Sequence, residues 1–192
     1  SGHEVSGSDR TESALIDDLR SLGIDVNLNQ DGNDVPEDTD LFVHTLALPD
    51  DHPELLRARE LSIPRKTYFQ ALGDLARESK KTVIAVCGTH GKSSTTAMAA
   101  KVLIDAGLDL DVILGTKTTD LSGRNWRKGD GEYFLLEACE YRRSFLHISP
   151  HIVLLTNVSG DHFDAFKDMD DYTKAFEELD RKSTRLNSSH QI

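Results

Sequence analysis

The chain has 192 residues, 38% of them apolar, and a formal net charge of −11 at pH 7. That suffices for one large domain or two small ones with packed cores, while the acidic balance argues against a general nucleic-acid or anionic-membrane surface. No apolar run approaches the ~20 residues that cross a bilayer, and the visible start carries no secretory apolar stretch, so a cytoplasmic location is expected. Cys87 and Cys139 each sit within an apolar strand pattern and read as buried free thiols of a reducing compartment rather than as a disulfide or metal pair. Ser1 stands first without a methionine, so a non-native start is expected.

Taken in order, His3 to Asp9 is a short strand signal ending in small polar residues. Ala14, Leu15, Ile16, Leu19 and Leu22 follow at helical spacing, with Gly23 as the stop. Extended signals recur at 24–28 and 40–44. A helical stretch at 54–61 follows Pro49 and Pro53, Ile63 begins a short extended piece before Pro64, and Thr67 opens a helix to about Ser79. Strands alternating with helices at this spacing predict a parallel sheet covered by helices, so residues 1–79 read as an α/β domain of Rossmann type. Ser6, Ser8 and Asp9, in SGSD, lie at the carboxyl end of the first strand, where ligands bind in open α/β sheets. The plainer reading of Ser8 or Asp9 is a cap on the following helix.

Lys80 and Lys81 mark the junction to a second domain, 80–180, which opens with KTVIAVCGTHGKSSTT. The β-branched run from Thr82 to Val86 leads into Gly88, Thr89, His90, Gly91, Lys92, Ser93 and Ser94, and an Ala-rich helical pattern follows. Strand, tight loop and helix in that order suit a polyphosphate, because two glycines let the backbone N–H groups turn inward and the new helix presents its positive end. Lys92 would then bring a point charge to the β- and γ-phosphates, and Ser93 a hydroxyl ligand for Mg²⁺. The nucleotide expected is ATP. The loop is shorter than the usual G-x-x-x-x-G-K-[ST], whose first glycine would fall where this chain has Val86.

The helix from Ser93 to Ala106 ends at Gly107, and Asp111 to Gly115 is the next strand. The polar stretch 116–131 contains Trp126 between Arg124 and Arg127, which reads more plainly as an exposed hairpin anchor than as a ligand contact. Glu132 to Glu140, EYFLLEACE, is an apolar strand with acidic residues at its carboxyl end. An ionised carboxylate is costly to bury unless it is paired or binds metal, which makes Glu137 a candidate for Mg²⁺ opposite Ser93; the plainer reading of Glu140 is a pair with Arg142 or Arg143. After the strand His151 to Asn157, Asp161 and His162 could hold a second divalent ion or orient a phosphate. One more helix begins at Asp170. From Arg181 onward no apolar period remains, and 181–192 reads as a non-native or disordered tail.

GTHGKSSTT, E-A-C-E-Y-x-x-S-F-L and T-N-x-x-x-D-H fall in this order over about residues 2 to 180, and together they resemble the Mur ligase family, ATP-dependent amide-forming enzymes of peptidoglycan synthesis. Histidine in the third place of the loop, His90, is similar to the branch acting on UDP-N-acetylmuramate, whose members add L-alanine or recycle murein peptide. The resemblance implies a truncated Rossmann-like UDP-sugar domain lacking its first strand, then a truncated P-loop-type central domain. Its other implications are ATP and Mg²⁺ as cofactors, UDP-N-acetylmuramate and L-alanine as substrates, and Ser6, Ser8 and Asp9 beside the UDP-sugar. By the same comparison Glu137 is a magnesium ligand and His162 part of a second magnesium site, while Lys92, His90 and His162 serve catalysis. Cys139 stands where the family usually has aspartate. The rival expectations are the recycling ligase and a nucleotide-binding switch without ligation. A dinucleotide oxidoreductase is disfavoured because the visible loop carries G-K-S rather than G-x-G-x-x-G.

Overall fold

The computed structural model describes residues 2–160 and 165–183, which divide into two compact units between Tyr68 and Phe69. The first unit is built from strand and helix in alternation: β1 (Ser6–Ser8), α1 (Ala14–Ser21), β2 (Asp25–Asn27), β3 (Phe42–His44), α2 (Pro53–Glu60) and β4 (Arg65–Thr67). The pairings β1 with β2 and β3 with β4 are both parallel, as alternation demands. Val35, Ala58 and Ile63 form a small core with Phe42 and Leu61 packed against it. Pro53 opens α2, where its fixed φ and missing N–H cost nothing.

The second unit begins with α3 (Tyr68–Glu78), which passes the unit division at its first residue. The Lys80–Lys81 junction read from sequence therefore lies one helix later than this division. The reason is packing: α3 buries Leu72, Gly73 and Ala76, and Leu72 and Ala76 join the same core as Val83, Phe134 and Phe145. A Cβ on Gly73 would overlap the carbonyl oxygen of His147, so glycine permits that close approach.

Next come β5 (Thr82–Cys87), α4 (Lys92–Asp105), β6 (Leu110–Thr118), a 3₁₀ turn at Thr119–Leu121, β7 (Arg124–Arg127), β8 (Tyr133–Glu137), a second 3₁₀ segment at Tyr141–His147, β9 (Ile152–Leu155) and α5 (Met169–Lys182). The five strands form one sheet in the order β7-β6-β8-β5-β9, parallel except for the β6–β7 pair at one edge. Trp126 lies in β7 opposite Ile113, with the Arg124 guanidinium 5.2 Å from its ring. Period-two alternation sends Val83, Ala85 and Cys87 of β5 to one face and Ile84 and Val86 to the other. α3 and α5 cover the first face and α4 the second, which is why these strands read as continuous apolar runs. α5 buries Tyr172, Ala175, Phe176 and Leu179 at helical spacing and is capped by Asp168, which accepts from the Asp171 N–H at 2.8 Å.

At the opposite ends of the strands from the loop, Lys81 Nζ lies 2.8 Å and Lys128 Nζ 3.1 Å from the Asp111 carboxylate, which also accepts the Gly129 N–H at 2.9 Å. Burial pushes the Asp111 carboxyl up, but these donors outweigh it and hold the group below its ordinary range. Among the described residues no helix is long and apolar enough to cross a membrane.

Candidate active site

In the parallel sheet, the carboxyl ends of β5 and β8 lie side by side, with Val86 registered on Glu137. The loop 88–91 leaves β5 and enters α4, whose N-cap is Gly91 in the left-handed region at φ 78°. Gly88 is left-handed too, at φ 134°, and a Cβ there would overlap Thr156 Oγ1 and lie 2.8 Å from the Asn157 carbonyl oxygen. Both loop glycines thus occupy conformations that L side chains avoid, and Gly88 also has no room for one.

The loop is tied to the segment after β9. The Thr89 N–H donates to Asn157 O at 3.0 Å. The buried Thr89 hydroxyl donates to Ser159 O at 2.8 Å, accepts from the Ser159 N–H at 2.9 Å and lies 2.9 Å from the Tyr172 hydroxyl. Thr156 Oγ1 and Asn157 Nδ2 both donate to His90 O, at 2.7 and 2.9 Å. His90 itself is exposed, as is Ser94. The threonine and asparagine of the T-N-x-x-x-D-H stretch therefore brace the loop, a role that sequence reading did not assign.

Lys92 begins α4 and folds back over the loop. Its ammonium donates to Gly88 O at 2.8 Å and Thr89 O at 3.0 Å and lies 3.0 and 2.9 Å from the two Glu140 oxygens. Pairing of Glu140 with Arg142 or Arg143 was expected; its carboxylate instead faces Lys92. Arg143 turns to Asp171, 2.6 Å away, and the Arg142 guanidinium lies over the Tyr141 ring. Arg142 and Arg143 are both left-handed, at φ 48° and 58°.

The Ser93 hydroxyl donates to Glu137 Oε1 at 2.9 Å, and Glu137 Oε2 accepts the Gly115 N–H at 2.7 Å. The two predicted metal-binding residues are thus brought together, one from the helix start and one from a strand end. A hydroxyl and a carboxylate are hard oxygen donors, and such a pair fits Mg²⁺ that keeps its remaining positions for water and phosphate. Among the described residues no group of three or more His, Cys, Asp or Glu converges on one point. Asp161 and His162 lie outside the described residues.

Cys87, at the end of β5, is a free thiol pushed up to about 12 by burial and then by the Glu140 charge. Cys139 is half-buried, and burial pushes its thiol up too. Neither has the lowered pKa of a nucleophile.

In the first unit, Ser8 Oγ accepts from Gln30 Nε2 at 3.2 Å, and Asp9 Oδ1 accepts from the Thr11 N–H at 3.1 Å. The cap of α1 is neither Ser8 nor Asp9 but Ser13, whose hydroxyl accepts from the Ile16 N–H at 3.5 Å. Ser6 and Asp9 are exposed and Ser8 is half-buried.

Two family models match this chain: the Mur ligase middle domain over residues 86–187, and the Mur ligase family catalytic domain over residues 1–80. The UDP-N-acetylmuramate–L-alanine ligase of Clostridium novyi is 41% identical over 92% of this chain and 38% of its own length. That of Desulfitobacterium hafniense is 42% identical over 94% of this chain and 39% of its own length. The chain thus spans about two fifths of the curated relatives it matches. The crystal structure of the UDP-N-acetylmuramate–alanine ligase of Thermotoga maritima superposes with a TM-score of 0.86 at 34% identity, over 93% of this chain and 41% of that one. The UDP-N-acetylmuramate:L-alanyl-γ-D-glutamyl-meso-diaminopimelate ligase of Neisseria meningitides gives a TM-score of 0.85 at 28% identity, over 95% of this chain and 61% of that one. The middle-domain match alone covers more than half of the 192 residues, and the chain belongs to the Mur ligase family.

Proposed function

We propose that this protein is an ATP-dependent ligase that joins L-alanine to UDP-N-acetylmuramate in peptidoglycan precursor synthesis, in the cytoplasm where ATP is available. The observation that carries this reading is the pair Lys92 and Ser93 at the head of α4, with the Ser93 hydroxyl 2.9 Å from Glu137. On this reading the first unit binds the UDP-sugar through Ser6, Ser8 and Asp9, and the second binds ATP through residues 88–94.

A carboxylate oxygen of the sugar's lactyl group attacks the γ-phosphorus of ATP, the bond to the bridging oxygen breaks, and ADP leaves. The amino nitrogen of L-alanine then attacks the resulting acyl phosphate and inorganic phosphate departs, giving the amide. Such chemistry asks the protein for alignment and charge stabilisation rather than for a covalent bond. The Lys92 ammonium and the loop N–H groups stabilise negative charge on the migrating phosphoryl group. Ser93 and Glu137 would hold Mg²⁺, which when bound neutralises polyphosphate charge. His162 is assigned to a second divalent ion, and His90 to the phosphate or carboxylate side of the loop.

The likeness to the Neisseria tripeptide ligase, close to that of the alanine ligase by TM-score, supports a second reading in which the amine is a preformed peptide. The two are separated by ADP release from the full-length protein with Mg-ATP and UDP-N-acetylmuramate. Stimulation by L-alanine supports the first, and stimulation by a murein tripeptide alone replaces it with the second. ADP release indifferent to both amines overturns ligation.

A further inference from the structure

Glu140 is the buried acid that the mechanism leaves unused. Its side chain is 0% exposed, and that of Lys92 is 14% exposed. An ammonium has three protons to donate, and here three groups receive them: Gly88 O at 2.8 Å, Thr89 O at 3.0 Å and Glu140 Oε1 at 3.0 Å. A phosphate oxygen arriving at Lys92 must replace at least one of these. We propose that Glu140 is a positioning residue that holds the Lys92 ammonium in place for phosphoryl transfer, an inference that rests on the loop being the ATP site.

The choice of acceptor follows from burial. In a buried, low-dielectric surrounding a full negative charge holds an adjacent ammonium far more strongly than a neutral carbonyl does. The loop carbonyls carry only partial charge. The ammonium therefore stays on Glu140 and turns the protons held by Gly88 and Thr89 toward phosphate. The backbone around Glu140 is built to keep its side chain fixed. Ala138 N–H donates to Val86 O at 2.9 Å, Phe145 N–H to Cys139 O at 2.9 Å and Arg143 N–H to Glu140 O at 2.8 Å. The turn that allows this keeps two successive arginines left-handed, a conformation that non-glycine residues avoid. A carboxylate on so constrained a backbone sets the position of Lys92, and a displacement near 1 Å at such a group lowers turnover far more than it lowers nucleotide affinity.

The test uses the full-length protein and four variants: Glu140→Gln, Glu140→Asp, Lys92→Ala and the double variant Lys92→Ala/Glu140→Gln. ADP release at saturating UDP-N-acetylmuramate and L-alanine gives kcat, and calorimetry with a non-hydrolysable ATP analogue gives Kd and the fraction of binding-competent protein. Glu140→Gln is expected to lower kcat by roughly 10- to 100-fold while Kd stays within about threefold, with Glu140→Asp between it and wild type. In the Lys92→Ala background the same substitution should change kcat by less than about twofold, because its effect runs through Lys92. Wild-type kcat in Glu140→Gln, or an equal fold-loss in both backgrounds, overturns the proposal. If Glu140→Gln is unfolded at the assay temperature, Glu140→Asp in the two backgrounds decides by the same comparison. Wild-type protein that releases no ADP with either L-alanine or a murein tripeptide overturns the ligase reading first, and the proposal with it.

Discussion

The Ser93 hydroxyl donates to Glu137 Oε1 at 2.9 Å, although the two residues stand 44 positions apart in the chain. The other oxygen of the same carboxylate accepts the Gly115 N–H, so one side chain joins the start of α4, the end of β8 and the interior of β6. Glu137→Gln keeps the size of this group but removes its charge and one of its two acceptor oxygens. It is expected to lower kcat/KM for Mg-ATP by ~10²-fold and to raise the Mg²⁺ concentration needed for half-activation. A magnesium titration of ADP release checks this, and an unchanged titration curve would remove Glu137 from the metal site.

The two loop glycines should respond differently to alanine. At Gly88 the added methyl would overlap Thr156 and crowd Asn157, so Gly88→Ala is expected to destabilise the fold by about 3 kcal/mol or more. At Gly91 nothing lies within 4 Å of the added Cβ, and only the left-handed backbone penalty of about 1–2 kcal/mol remains. Denaturant melts of the two variants would give equal shifts if the braced loop were a misreading.

Cys87 links stability to alkaline pH. Its thiol keeps its proton in the folded state up to about 12, against 9.0 for the unperturbed group, because of burial and then the Glu140 charge. Between those values the unfolded chain binds fewer protons than the folded one, so stability falls as pH rises, by ~1.4 kcal/mol per pH unit from this group. Cys87→Ala should flatten that slope in melts between pH 9 and 11. The native thiol should also resist iodoacetamide at pH 8 until the protein is unfolded.

The Thr89 hydroxyl carries three polar contacts in a buried setting, to both backbone groups of Ser159 and to Tyr172. Thr89→Val keeps the shape and strands those partners, so a loss of about 1–3 kcal/mol is expected. Tyr172→Phe removes one of the three Thr89 contacts and leaves both Ser159 contacts in place, so it should be the milder change in the same melts.

The elements of this chain were legible where local pattern and burial agree. β5 is a β-branched run buried on both faces, and α5 repeats its apolar residues at helical spacing; both occur where the pattern places them. The glycine loop, Lys92, Ser93 and Glu137 were singled out by residue type and order, and the structure brings Ser93 and Glu137 together beside the loop. What was not legible depends on long-range approach. Nothing local to E-A-C-E-Y-R-R reveals that Arg143 pairs with Asp171 while Glu140 faces a lysine 48 positions earlier. The close approach of α3 at Gly73 to the carbonyl oxygen of His147 is equally invisible in the local pattern. The cap of α1 was misread because SGSD offers good capping residues a few positions before Ser13, which holds the role.

The central claim is that the loop 88–93 is the site from which ATP drives ligation, and Lys92 tests it most directly. In the full-length protein, ADP release dependent on UDP-N-acetylmuramate should fall by on the order of 10²-fold or more in Lys92→Ala. Near-wild-type release in that variant would contradict the account.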